Sequence, residues 1–277
     1  MTGNLQNPAT PALRLVRSLA SEGNRIFTVA RAKELSAAAG LTDGYLRQAL
    51  HHLTKSGWLL RLRKGLYALS PVMPGVTSAH EFEIAMALVP HGAVSHWSAM
   101  QYHGMTEQIP RKVFVLTSTD HPIPQSRSKD RREGSGIEVA KTIYQFIRVK
   151  PERFFGTDKV WVSEARVMIT DPERTLLDGL MMPWHCGDFA EVLHAFEVRK
   201  DRLNLDRIVG YALRVDAAAA KRLGWVLEQQ GVRPDRLASL LKLPIKGYRT
   251  LDPNGPRKGP CNSRWMIQEN LPGNVQS

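Results

Sequence analysis

A chain of 277 residues with 43% hydrophobic and 23% charged content has the length for about two domains and the composition of a globular protein, which excludes disordered and fibrous classes. Its 38 Lys and Arg against 26 Asp and Glu give a formal charge of +12 and point to an anionic partner. No uncharged apolar run approaches ~18 residues, Met1 to Pro8 shows no signal-peptide pattern, and Cys186 and Cys261 stand far apart. The expectation is a cytoplasmic protein with no membrane span, no disulfide framework and no Cys-rich zinc site.

Pro11 to Glu22 reads as a first helix, with Gly23 and Asn24 as its stop. Residues 24–69 then read as a short strand, a helix from Arg31, a turn marked by Gly40, a second helix from Thr42 to Ser56 and a tight β-hairpin from Trp58 to Leu69. This order predicts a winged helix-turn-helix, whose second helix is shaped for a DNA major groove. Thr42 or Asp43 can cap that helix through a short side-chain oxygen. Leu46, Ala49, Leu50 and Leu53 recur at i, i+3, i+4 and i+7 and define its buried face. At ~100° per residue the opposite face carries Gly44, Gln48, His51 and Lys55, flanked by Tyr45, Arg47 and His52. Gln and Arg can make bidentate contacts to base edges, whereas Lys mainly meets phosphate. In the hairpin, Leu60, Leu62, Leu66 and Ala68 alternate with Arg61, Arg63 and Tyr67. Arg63, Lys64 and Gly65 put two cations at a flexible tip. The predicted DNA contacts are therefore Tyr45, Arg47, Gln48, His51, Lys55, Arg61, Arg63 and Lys64.

A Pro/Gly-rich stretch from Ser70 to Thr77 closes this part, which divides the chain into expected domains 1–72 and 73–277. Ser78 to Glu81 reads as a capping box opening a helix to Leu88. Val94 to His103 reads as another helix and Val113 to Thr117 as a buried strand. Asp120 to Gly136 is a polar, basic loop. Strand-like stretches follow at 137–139, 144–149, 160–162 and 167–169. Asp171 as cap, Pro172 and Glu173 then start a helical group at 172–181, 188–199, 205–214, 216–230 and 234–242. Ser263 to Ile267 reads as a last strand. The predicted fold is α+β: an N-terminal winged helix-turn-helix followed by a mixed α/β C-terminal domain, strands first and helices after. Net charge is +7 over residues 1–70, −3 over 71–110, +5 over 111–159 and +3 over 160–277. More than half of the excess thus falls on the winged helix.

Other constellations are weaker. Ser95, His96, His103 and Glu107 can be drawn as a metal or hydrolase site, but the i, i+4 spacing and third ligand of a zinc helix are missing. Ser126 and Lys129 match a Ser-x-x-Lys pattern without its companion motifs. Asp171, Glu173 and Asp178 suggest a metal-dependent nuclease or nucleotidyl transferase. They read better as a helix cap for Asp171 and as first-turn and solvent-face residues for the other two. Glu138 and Lys141 are one residue too far apart for the common nuclease signature, and no Gly-rich phosphate cradle exists. Arg127, Lys129, Arg131 and Arg132 form a secondary basic patch, either solvated surface or a contact for nucleic acid or an acidic partner. No metal, no cofactor and no enzymatic activity are expected. The alternative is a nuclease or transferase delivered by the winged helix.

With these residues in place, the chain resembles the AbiEi antitoxins of type IV toxin–antitoxin systems. The resemblance rests on Arg63 to Tyr67 at the wing, Val94 to Gly104, Thr170 to Asp178, Lys221 to Glu228 and Ser263 to Ile267, and covers nearly the whole chain. It implies a two-domain regulator whose winged helix binds inverted repeats in double-stranded DNA of its own promoter and represses the operon. It further implies that the C-terminal domain counters a nucleotidyltransferase-like toxin without a stable complex. The protein is then expected as a monomer or a cooperative binder on DNA.

Overall fold

The structure, a computed structural model, describes residues 10–71, 78–124 and 136–271. Thr10 caps helix α1 (Pro11–Ser21) by accepting from the Leu13 N–H at 3.4 Å, and Pro11 follows where an N–H has no helical partner. Strand β1 (Ile26–Thr28) runs directly into α2 (Val29–Ser36), which Thr28 caps on the Arg31 N–H. Gly40, at φ 80°, turns the chain into α3 (Asp43–Lys55). Arg14 donates from Nε to the Ala39 carbonyl at 3.1 Å and so ties α1 to that turn. Strands β2 (Leu59–Arg63) and β3 (Leu66–Leu69) form the wing, closed by Lys64 and by Gly65 at φ 77°. The sheet order is β1-β3-β2. Leu46, Ala49, Leu50 and Leu53 are buried with Leu15, Leu19, Phe27 and Leu59 in one core.

Two local expectations change. Thr42 is the cap residue of α3 but its side chain bonds no amide, and Asp43 instead pairs with Lys33 at 2.7 Å. In the wing a bulge breaks the strict alternation. Arg61 pairs with Tyr67 and Arg63 with Leu66, so Leu62 and Arg63 together oppose Leu66. Leu62 turns inward there while Arg63 stays exposed.

The remainder is built on six strands: β4 (Gly92–Val94), β5 (Lys112–Ser118), β6 (Gly136–Val139), β7 (Thr142–Val149), β8 (Thr157–Val162) and β9 (Ala165–Thr170). They form one mixed sheet of order β6-β7-β5-β4-β9-β8. Helix α4 (Glu81–Leu88) packs Phe82, Ala85 and Leu88 on one face, against Val113, Val115, Val167 and Ile169. Helix α5 (His96–Tyr102) lies on the other, its Ser98 Oγ accepting from the Phe114 N–H at 3.0 Å. The helical group α6 (Pro172–Met181), α7 (Phe189–Arg199), α8 (Leu205–Val215), α9 (Ala217–Gln229) and α10 (Ala238–Lys242) encloses a second core. Three two-residue strands, β10 (Arg249–Thr250), β11 (Cys261–Asn262) and β12 (Ile267–Gln268), close the chain in the order β10-β12-β11.

The cap of α4 is His80, whose Nδ1 accepts from the Phe82 N–H at 3.1 Å, because the helix begins at Glu81 and leaves Ser78 outside its first turn. Val94 belongs to β4, and a 3-10 turn over Pro234–Leu237 precedes α10. Residues 263–266 turn rather than extend, with Met266 at φ 55°. That turn drops Trp265 onto α9 at Gly224, the one helix position there without a side chain in its way. Leu62, Leu66 and Ala68 of the wing share a hydrophobic cluster with Phe82, Val139, Tyr144 and Phe146, so one apolar core runs across the 72/73 position.

Candidate nucleic-acid interface

The apolar side of α3 is consumed by the first core, which leaves its opposite side to solvent. Tyr45, Arg47, Gln48, His51 and Lys55 are all exposed, Tyr45 by 54%. Tyr45, Gln48, His51 and Lys55 line an open groove of about 770 Å³ together with His52, Thr10 to Ala12 of the α1 start and Gly40 to Thr42 of the turn. Arg47 does not line it. By angle it sits on the opposite flank of α3 from Tyr45 and His52. The sequence pattern places His52 on that flank, but the contribution of the α1 start depends on how α1 crosses α3, for which the sequence carries no signal.

At the wing, Arg61, Arg63 and Lys64 are exposed. The acids of this part are spent elsewhere: Glu22 and Glu34 pair with Arg31, and Asp43 with Lys33. Arg25 pairs with Glu83 and Glu164. Among the described residues, Arg47, Lys55, Arg61, Arg63 and Lys64 carry no ion pair. Their charge is left for a polyanion. The secondary patch Arg127, Lys129, Arg131 and Arg132, and Ser126 beside it, lie outside the described residues.

The other constellations resolve into structural bonds. His96 is fully buried at the start of α5 with φ 51°, its Nδ1 2.9 Å from Ser95 Oγ. Burial, then the neighbouring His185 and Arg174, hold its pKa well below the ordinary histidine value. His103 bonds the Thr170 carbonyl at 2.7 Å through Nε2, and burial lowers its pKa as well. Asp171 caps α6 as expected, taking the Arg174 N–H at 2.7 Å and the Tyr211 O–H at 2.7 Å. Burial and that carboxylate push the Tyr211 hydroxyl up to about 12.

Glu173 lies in the first turn of α6 as expected, but it and Asp178 are both buried and not on a solvent face. Glu173 accepts from the Asn204 N–H at 2.9 Å and meets Arg207 at 3.4 Å, clipping α8 to α6. Asp178 is fully buried against Arg174 Nε at 2.9 Å. Burial raises its pKa against the opposing pull of Arg174. Among the described residues no group of three or more His, Cys, Asp or Glu is arranged to hold a metal ion.

The fold and the exposed basic face together define a winged helix-turn-helix protein with an open recognition helix. Residues 14–70 match the model of a family of transcriptional regulators, the AbiEi antitoxins, a span that coincides with the winged helix. Over nearly the whole chain the fold is similar to that of the RV2827C protein from Mycobacterium tuberculosis, whose crystal structure superposes with a TM-score of 0.71 at 16% identity and 94% coverage of each chain. At that identity the likeness is one of fold. No curated protein matches the sequence. Among the described residues no helix is long and apolar enough to cross a membrane.

Proposed function

We propose that this chain is a DNA-binding transcriptional repressor that also serves as an antitoxin. Its winged helix, expected over residues 1–72, reads inverted repeats in its own promoter. Residues 73–277 counter a nucleotidyltransferase-like toxin without forming a stable complex. The observation that carries this reading is the exposure of α3 and the wing: Gln48 and Arg47 available to base edges, and five cations with no ion pair among the described residues, within a segment that matches a regulator family. The engagement of Asp171, Glu173 and Asp178 as cap, clip and buried pair supports a binding role over a catalytic one.

A mobility-shift titration on the duplex upstream of the coding sequence, against a scrambled duplex, tests it. Gln48→Ala should cost about 1–3 kcal/mol on the preferred duplex and little on the scrambled one. Unchanged affinity after joint replacement of Gln48, Arg63 and Lys64 by alanine would sink the assignment.

A further inference from the structure

The wing has two faces, and they enter different cores. Leu59, Tyr67 and Leu69 pack with the helix-turn-helix, whereas Leu60, Leu62, Leu66 and Ala68 pack with α4 and the six-stranded sheet. The hairpin is therefore held between the two halves of the molecule. Arg25 joins the same parts by another route. Its carbonyl accepts from the Leu69 N–H of β3 at 2.8 Å. Its guanidinium, only 12% exposed, reaches Glu83 on α4 at 3.3 Å and Glu164 in the β8–β9 turn. At the far end of the wing the Gly65 carbonyl accepts from the Val29 N–H at 3.1 Å. Arg25 neither lines the α3 groove nor stands at the wing tip.

We propose that α4 and the sheet are the mount of the wing, with Arg25 as a positioning residue. Its two ion pairs hold the hairpin in the pose from which Arg61, Arg63 and Lys64 reach the DNA backbone. This rests on the DNA-binding reading above. It extends that reading by making residues remote from DNA determinants of its affinity.

The test uses the full chain with Glu83→Gln and Glu164→Gln together. Two effects of this change have opposite signs. Neutralising two acids makes the protein more positive and by itself tightens binding to a polyanion. Releasing the wing weakens it, and we expect a loss of about fivefold, the scale of one or two partly exposed ion pairs. Adding Arg63→Ala and Lys64→Ala should then cost less than it does in the parent, because a loosened wing no longer delivers those cations. Amide hydrogen exchange of residues 62–67, measured without DNA, should quicken.

Equal or tighter binding, or exchange at the parental rate, overturns the proposal. Quickened exchange in a protein whose parent binds no DNA would leave the mount standing and remove the function it was assigned. Should the double variant fail to fold, Glu164→Gln alone alters an exposed acid and carries the same sign test.

Discussion

The strongest quantitative consequence of the interface is its salt dependence. Arg47, Lys55, Arg61, Arg63 and Lys64 are exposed and carry no ion pair among the described residues. With Arg47 on a base edge and the other four on phosphates, log affinity falls against log salt with a slope of about −3.6, so raising salt from about 50 to about 200 mM weakens binding roughly 150-fold. The joint replacement Arg61→Ala, Arg63→Ala and Lys64→Ala leaves Lys55 as the phosphate contact. The slope should then be about −0.9 and the loss over the same range roughly 3.5-fold. Gln48→Ala is the internal control: it lowers affinity for the preferred duplex and leaves the slope alone, since an amide releases no counterion. Fluorescence anisotropy of a labelled duplex at four salt concentrations measures all three slopes. Parallel lines for the parent and the triple variant would refute the assignment of the wing to phosphate.

Two further outcomes test the frame that holds this surface. A Cβ at Gly224 would lie 1.9 Å from Cζ3 of the buried Trp265, whose Nε1 donates to Glu228 at 2.7 Å. Gly224→Ala should therefore destabilise the fold by about 2–4 kcal/mol, overpacking and the lost bond outweighing the gain in helix propensity. Calorimetry should show a melting point lower by roughly 10 °C, and a higher one would refute the packing. Stability should also fall with acid. The fold keeps His96 neutral through burial and the adjacent His185 and Arg174. The unfolded chain takes up that proton near pH ~6.5, so the contribution is complete above that pH and is lost as pH drops below it. Denaturant midpoints at about pH 7.5 and about pH 5.5 measure the decline. His96→Asn, a residue that tolerates φ 51°, should reduce it, and an undiminished decline would count against His96.

The recognition helix is legible in the sequence because one amphipathic helix declares both of its faces through a single period. Leu46, Ala49, Leu50 and Leu53 assign the core, and the exposure of Gln48, His51 and Lys55 follows by angle. The sheet and the helical group are legible for similar reasons, since strand-like runs and the Asp171–Pro172 start are local signals. What stays hidden is which core a face enters. Leu60, Leu62, Leu66 and Ala68 announce an apolar side of the wing, yet nothing local says that it packs on α4 and not on α3. Asp178 has the look of a surface acid, although Arg174 at i−4 was the available hint of a buried pair. Trp265 and Gly224 likewise gain meaning only together, one ring too large for a two-residue strand turn and one helix position left bare to receive it.

The wing's second face also changes how the two halves of the molecule relate. A winged helix with its own complete core would read DNA independently of whatever follows it in the chain. Here Leu62 and Leu66 of the wing are buried, and Leu60 partly buried, against the following residues, so the pose of the wing and the integrity of the sheet face are linked. Any partner that binds α4 or the β8–β9 turn with different affinity for the docked and undocked wing must change DNA affinity, and DNA must change the partner's affinity by the same factor. A partner indifferent to the wing's position would change nothing, however tightly it bound. A regulator with a second task in its C-terminal half therefore needs no contact between the two binding sites to couple them. With the wing mounted as proposed, that coupling would run through Leu62, Leu66 and the ion pairs of Arg25.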